Sequence, residues 1–529
     1  MSQQFDAIVV GAGHNGLTTA NYLALQGLNV CVLERRHIVG GAAVSEEFHP
    51  GYRNSIASYV VSLLRPEVVK DLKLADYGYE TIPLNHAIYL DSEGTSLLFS
   101  DDEAITKKEF AKFSSKDYDA YMALHDVIDK VGDVVAKQWL QTPPKLAGGG
   151  LFDLLSTTKL GLDFYRLDQD ARHRFMQLMI GTPDSMIERW FESDKVKAIM
   201  AQHCTPANYA SLQQPGAAIA MLHHAVGQLD GVKGAWGLVK GGMGGITQAM
   251  ASAAEAKGVT IKTGCSVTEI LAENGAVTGV RVDSGEVFNA SIIAANTDVK
   301  TTLLKLLGKD HLADDFASDI SVIRQGSASL RMNLALRGLP NFAAVPGTEI
   351  GPQHIGTISI IEDKDHVERA FRSAQAGVPS DPPFIEALIP STLDPGLTDE
   401  DGHHVMSLLC KYMPYELAEG KDWDTEKPKV VANIIRYLGK FITNLDDILV
   451  SCQCFTPLDL ERVFGLPKGD ICHARLEPDQ LFSMRPHPQA AQYSMPVKGL
   501  YICGSGTHPG GGVTGAPGYN AAQRIIKDL

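Results

Sequence analysis

The eight cysteines of this 529-residue chain include no CxxC or CxxxxC pair. That absence excludes a dithiol redox centre and a zinc knuckle. Cys452 and Cys454 come nearest to a pair, two apart in the apolar run ILVSCQCF. The run reads as a strand with both thiols on one face, where buried and inert thiols are expected. Unpaired thiols suit a reducing compartment. Basic runs are also missing: 47 Lys and Arg stand against 62 Asp and Glu, a net charge of −15. Nucleic acid is therefore not an expected partner, and charge alone would not draw the chain to an anionic membrane. No apolar run reaches the roughly 20 residues of a membrane helix. No basic and apolar leader precedes the first expected strand at Phe5. The default location is the cytoplasm, or the mitochondrial matrix if the chain is eukaryotic. The histidine pairs 223–224 and 403–404 lack i,i+4 partners and acidic ligands at metal spacing, so no metal is expected. Glycine, in contrast, is plentiful at 50 residues, clustered near both ends and near residue 241. Such clusters mark backbone held close to something.

Residues 5–10, FDAIVV, predict a short buried strand, followed at once by GAGHNG and the helical pattern LTTANYLALQG. Gly11 permits the tight turn, Gly13 lets the backbone approach a pyrophosphate, and Gly16 lets the helix pack on the strand. Ala12, His14 and Asn15 complete the loop, and the helix amino terminus offers free N–H groups to phosphate. A second strand, NVCVLE, ends in Glu34, at the distance where a carboxylate accepts both ribose hydroxyls. The retained acid disfavours a 2′-phosphate and hence NADP. Arg35 and Arg36 are read as facing the adenosine phosphates or water. Gly40 and Gly41 then let the chain cross a flat ring or diphosphate, with Ala42 beside them. An NAD enzyme has no need of that element, so FAD is the expected cofactor.

The segment LYICGSGTHPGGGVTGAPGYNAAQRIIKDL repeats the theme. A buried strand leads into Gly504, Ser505 and Gly506, then Gly510–Gly512, Val513 and Thr514. A helix is expected from about Gly518, its amino terminus aimed at the flavin carbonyl edge. Between the two ends, a glycine turn at Gly241–Gly245 leads into an alanine-rich helix. The strand VTIKTG should extend the first sheet and leave the Val267 backbone at the adenine. Further strands turn at Asn274-Gly275 and Ser284-Gly285.

The stretches VVGAGHNGL, LERRHIVGGAAVSEEFHPGYRNSIASYVVSLLRP, GAWGLVKGGMGGI and LYICGSGTHPGGGVTGAPGYNAA together resemble the phytoene desaturase-like flavoproteins of the carotenoid desaturase and amine oxidase superfamily. The resemblance implies bound FAD and an α/β fold. A discontinuous Rossmann-like FAD-binding domain (1–75, 230–300 and 471–529) would be joined to a mixed sheet-plus-helix substrate domain (76–229 and 301–470). It also implies hydride transfer between an apolar substrate, such as a polyene or isoprenoid, and flavin N5, with oxygen or a quinone as acceptor. Ser505 departs from the wider superfamily, which commonly has an acid there; the carotenoid desaturase branch lacks that acid too.

Within the substrate segments, DDEAITKKEFAKFSSKDYDAYMALHDVIDKVGDVV is helical by pattern, and Ser185 to Glu188 reads as a capping box. LFDLLSTTKLGLDFYRL at 151–167 is apolar enough to line a channel or dip into a membrane, but an inward-facing core helix is expected. No second GxGxxG with strand and acid is present, so a separate NAD(P)H domain is not expected. His508 in the closing loop is the candidate donor to the flavin or proton acceptor, or else holds the turn before Pro509. Asn54, Ser55 and Ser58 are expected nearest the ring, with Arg485 and His487 behind them. The rival function is a non-catalytic lipid or prenyl carrier of the same fold. Peripheral membrane contact and self-association stay open.

Overall fold

The computed structural model describes residues 3–146, 149–204 and 209–529, apart from the side chains of Gln3, Phe152, His223 and His224. Its first layer is a five-stranded parallel sheet in the order Thr260–Lys262, Val30–Leu33, Ala7–Val10, Ile292–Ala295, Leu500–Ile502. Parallel strands are covered on both faces, which is why AIVV, VCVL, IIAA and LYI are apolar throughout without alternation. Helix His14–Leu25 lies against this sheet and packs between helices Gly244–Glu255 and Ala516–Asp528. Three distant stretches of chain thus share one sheet.

A four-stranded sheet joins Gln3–Gln4, Val287–Asn289, Ala276–Val282 and Val267–Glu273. Its hairpin turns through Asn274 and Gly275, both at positive φ, as the dipeptide required. A seven-stranded sheet runs Leu449–Phe455, Ser329–Leu336, His404–Lys411, Phe384–Leu388, Thr357–Ile360, His86–Leu90, Ser96–Ser100. Its elements come from the two stretches expected to form the substrate half. The ribbon of Trp236–Val239 with Thr81–Leu84 joins residues assigned to different halves.

The helical stretch after residue 102 is two helices, Glu103–Phe110 and Ser115–Trp139, each started by a side-chain cap from Asp102 and Ser114. The expected capping box at Ser185 is displaced. The helix spans Pro183–Trp190, and Thr182 caps it by accepting from the Ser185 N–H, because proline suits the first helical turn. Cys454 is buried as expected, but Cys452 is exposed; all eight cysteines are free thiols.

The largest correction concerns helix Leu151–Tyr165. Leu151, Leu154, Leu155, Leu162 and Tyr165 share one face by their spacing, and all are between 51% and 73% exposed. The expected core helix instead turns its apolar face to solvent. Among the described residues no helix is long and apolar enough to cross a membrane.

Candidate functional site

The carboxyl ends of the parallel strands open on a cavity of about 480 Å³, where open α/β sheets place their ligands. Gly11 sits at φ +97°, a conformation that lets the chain leave strand Ala7–Val10 and turn at once into the helix. A Cβ on Gly16 would lie 2.2 Å from the Gly11 carbonyl oxygen, so helix and strand meet only through glycine there. The helix amino terminus at Gly13 carries no side-chain cap. Its first-turn N–H groups therefore remain suited to phosphate. Glu34 is buried, and its carboxylate accepts from the Ala12 N–H (2.8 Å) and the Arg36 N–H (2.9 Å). Two donors fix the carboxylate and leave acceptor capacity for ribose hydroxyls.

The closing segment clasps this half. His14 Nε2–H donates to the Gly512 carbonyl (3.2 Å), Asn15 Nδ2 to Ser505 Oγ (3.3 Å) and Thr19 Oγ1 to the Gly518 carbonyl (3.0 Å). Burial, with His473 nearby, pulls the His14 imidazole down to about 4, so it is neutral at pH 7. Asn15 Oδ1 is buried without a partner in the same place. A glycine cradle, an uncapped helix start, a ribose-ready carboxylate and an orphaned acceptor fit a bound dinucleotide.

Comparison with known proteins agrees with that fit. Residues 9–72 match the NAD(P)-binding Rossmann-like domain model, and residues 207–519 match the FAD dependent oxidoreductase model. The chain belongs to the FAD-dependent oxidoreductase family. It is 37% identical, over 100% of its length and 94% of that protein, to pyridine nucleotide-disulfide oxidoreductase domain-containing protein 2 of Rattus norvegicus. It is 25% identical to the zeta-carotene-forming phytoene desaturase of Myxococcus xanthus, over 98% and 93% of the two chains. A putrescine oxidase triple mutant shares the fold, with a TM-score of 0.61 and 15% identity over 100% and 99% of the chains. The protein is an FAD-dependent oxidoreductase, and FAD is its cofactor.

The structure sorts the residues expected around FAD. Gly11, Gly13, His14, Asn15, Glu34, Arg35, Gly41, Ala42, Val267, Ser505, Gly512 and Val513 line the cavity, with Ser58. Ala12, Gly16, Gly40, Gly504 and Thr514 stand behind it. Gly40 N–H donates to the Ala12 carbonyl, so the second glycine pair crosses the first glycine loop itself. Thr514 Oγ1 accepts from Ala516 N–H, and its carbonyl accepts from Arg65 N–H. The last helix begins at Ala516, two residues before Gly518, after Gly515 at φ +71° and without a side-chain cap. Arg35 donates to the carbonyls of Arg462 and Val463, at the carboxy-terminal end of helix Pro457–Phe464. Arg36 pairs with Glu46 at 2.7 Å.

Three other expectations change. His508 is buried outside the cavity, with Nε2 bonded to the Gln138 carbonyl (2.9 Å) and its ring edge-on to Phe482. Burial pulls its imidazole down to about 4, so it is a neutral loop anchor. Arg485 is also buried outside the cavity and donates to the carbonyls of Ser505, Cys472 and Ala474; His487 faces Asp319. The Gly242–Gly244 turn serves a protein contact: a Cβ on Gly242 would lie 2.4 Å from Ser45 Oγ. Asn54 bonds Asn333, and Ser55 accepts from Met243 N–H.

A second cavity of about 670 Å³ shares Tyr59, Trp236 and Glu386 with the first. Both lie over one transverse row of the seven-stranded sheet. The register aligns Arg331 with Leu409, Leu409 with Glu386, Glu386 with Ser359, and Ser359 with Tyr89. Lys411 is two residues along from Leu409, hence on the same face, and reaches Glu386 at 2.7 Å. Tyr59 OH and Gln202 Nε2 also donate to that carboxylate. Burial alone would raise the Glu386 carboxyl, but Lys411 and these donors outweigh it and hold it below the ordinary value. Reading the sequence from its glycines missed this row. A signal was present: SLRMNLAL, FIEAL and HVMSLLCK are apolar strands with isolated charges at Arg331, Glu386 and Lys411, residues that rarely go inside without a task.

Proposed function

We propose that this oxidoreductase removes two electrons and a proton, as hydride, from a C–H bond of a small molecule held in the second cavity. Oxygen or a quinone then takes the electrons. Bound FAD supplies the two-electron acceptor. The observation carrying the proposal is the sharing of Tyr59, Trp236 and Glu386 by the two cavities, which sets a substrate chamber against the cofactor. Tyr89, Phe99, Tyr121, Met221 and Leu229 offer an apolar substrate body its walls. His203 is a weak base. Burial, with His125 beside it, pulls His203 down to about 4, where it meets the Tyr89 hydroxyl. Burial also pushes the Tyr59 phenol well up. The chain's contribution is to hold and orient the substrate, and the proton lost alongside the hydride is released to water.

Purified protein should show flavin absorbance, and under anaerobic conditions an apolar extract should bleach it while NADH does not. Protein that stays colourless after FAD is added would sink the reading. Bound FAD that no extract bleaches would favour a carrier.

The exposed face of helix Leu151–Tyr165 supports one proposal about partners: it lies on a lipid surface, with Lys159 and Arg166 exposed beside its leucines. Flotation with phosphatidylcholine–phosphatidylserine vesicles should carry the protein upward, and Leu154→Ser with Leu155→Ser should abolish that. Equal flotation of both proteins would refute the contact.

A further inference from the structure

Arg331 is among the largest fully buried side chains of the molecule, yet it sits in the lining of the cofactor cavity. Its guanidinium lies 4.6 Å from the centre of the Tyr59 ring. Nε donates to the Ile56 carbonyl (3.3 Å) and Nη2 to Ser407 Oγ (2.7 Å). Nη1 has no hydrogen-bond partner among the described residues. The surrounding charge is unbalanced as well. Arg331 and Lys411 are two buried cations, and the carboxylate they face is Glu386. Glu386 is already engaged by Lys411, Tyr59 and Gln202. One positive charge in this network is left over.

A buried cation without a counter-ion, and a buried donor without an acceptor, are both costly. Such a group persists where something else supplies the missing charge. Guanidinium is the side chain best suited to a carboxylate, because its donors lie in a plane and its charge survives burial. Burial does pull Arg331 down, to about 10, which still leaves it charged at pH 7.

From this geometry we propose that Arg331 receives an anionic carboxylate at one end of the substrate, whose apolar body extends past Tyr59 and Trp236 into the second cavity. The proposal rests on the oxidoreductase reading of the site and narrows it: the substrate is an amphipathic acid, not a pure hydrocarbon. The transverse row then has a division of labour. Arg331 holds the head, Leu409 separates it from the satisfied Glu386–Lys411 pair, and the aromatic chamber takes the rest.

Decanoate and 1-decanol, titrated into the FAD-loaded protein, test this with the same chain and different heads. Decanoate should perturb the flavin's visible band saturably and raise the melting temperature, binding at least about tenfold more tightly than the alcohol. Arg331→Met should remove the difference, and Arg331→Lys should keep part of it. Equal binding of acid and alcohol to the unaltered protein overturns the proposal, whether or not any variant folds. So does an Arg331→Met protein that still prefers the acid. A variant that shifts the flavin's reduction potential but leaves the acid preference intact assigns the free nitrogen to the flavin, and again the proposal falls. Failure of the protein to take up FAD instead refutes the oxidoreductase reading, and the melting shift with decanoate still reads the carboxylate site.

Discussion

The glycine loops and the charged row beside them are built by opposite means. The dinucleotide site is made of backbone, brought close by glycines that cluster in sequence, with one carboxylate, Glu34. The row is made of side chains, set across the sheet by strands that are remote from one another in sequence. The first tolerates no added atoms; the second tolerates no lost charge. Substitutions that add bulk or remove charge should therefore have different consequences at each.

The largest effect is expected from Lys411→Met, which strands the Glu386 carboxylate in the sheet. Breaking a buried pair from one side costs about 3–5 kcal/mol, and chemical denaturation at pH 7 will show it. The pH dependence has a definite sign. In the native protein the Glu386 carboxyl is held below its ordinary 4.5, so its stabilising contribution is present above that pH and lost as the pH falls below it. In the variant burial is opposed by the Tyr59 and Gln202 donors without the Lys411 charge, so the carboxyl rises and acidification helps the variant relative to the parent. The stability gap should narrow from pH 7 to pH 4, and a gap that widens would contradict the assignment.

At the glycine loops, Gly16→Val drives a Cβ to 2.2 Å from the Gly11 oxygen. The expected cost is about 3 kcal/mol, with FAD absent from the purified protein by its absorbance. Glu34→Gln is milder. One amide oxygen replaces two carboxylate acceptors, and FAD affinity should fall roughly tenfold to a hundredfold by equilibrium titration. His508→Gln should be smaller still, a loss of about 1 kcal/mol from the Gln138 contact. Its pH–rate profile should keep the parental shape, since His508 is held down near 4.

The contrast also accounts for what was readable beforehand. Gly11, Gly13, Gly16 and Glu34 act through local backbone geometry, so their spacing along the chain carries the meaning. The closing loop was readable for the same reason, although its helix starts at Ala516, directly after Gly515 in the left-handed conformation. Arg331, Glu386 and Lys411 act through sheet register, which no local spacing encodes. For His508 the sequence leaves a reactive and a loop-holding role equally open, and only packing, which turns it toward Gln138, separates them. The solvent-facing leucines of helix Leu151–Tyr165 misled because the helical period defines a face but not its direction.

The bond from His14 to Gly512 spans 498 positions of the chain. At roughly 5–20 residues per second, the ribosome needs on the order of half a minute to two minutes to make the second half of that clasp after the first. Throughout that interval the glycine loop and Glu34 exist without Ser505, Gly512 and Val513. FAD capture therefore waits for the second half of the clasp, and the early apolar strands wait for a partner strand, Leu500–Ile502, that is made long after them.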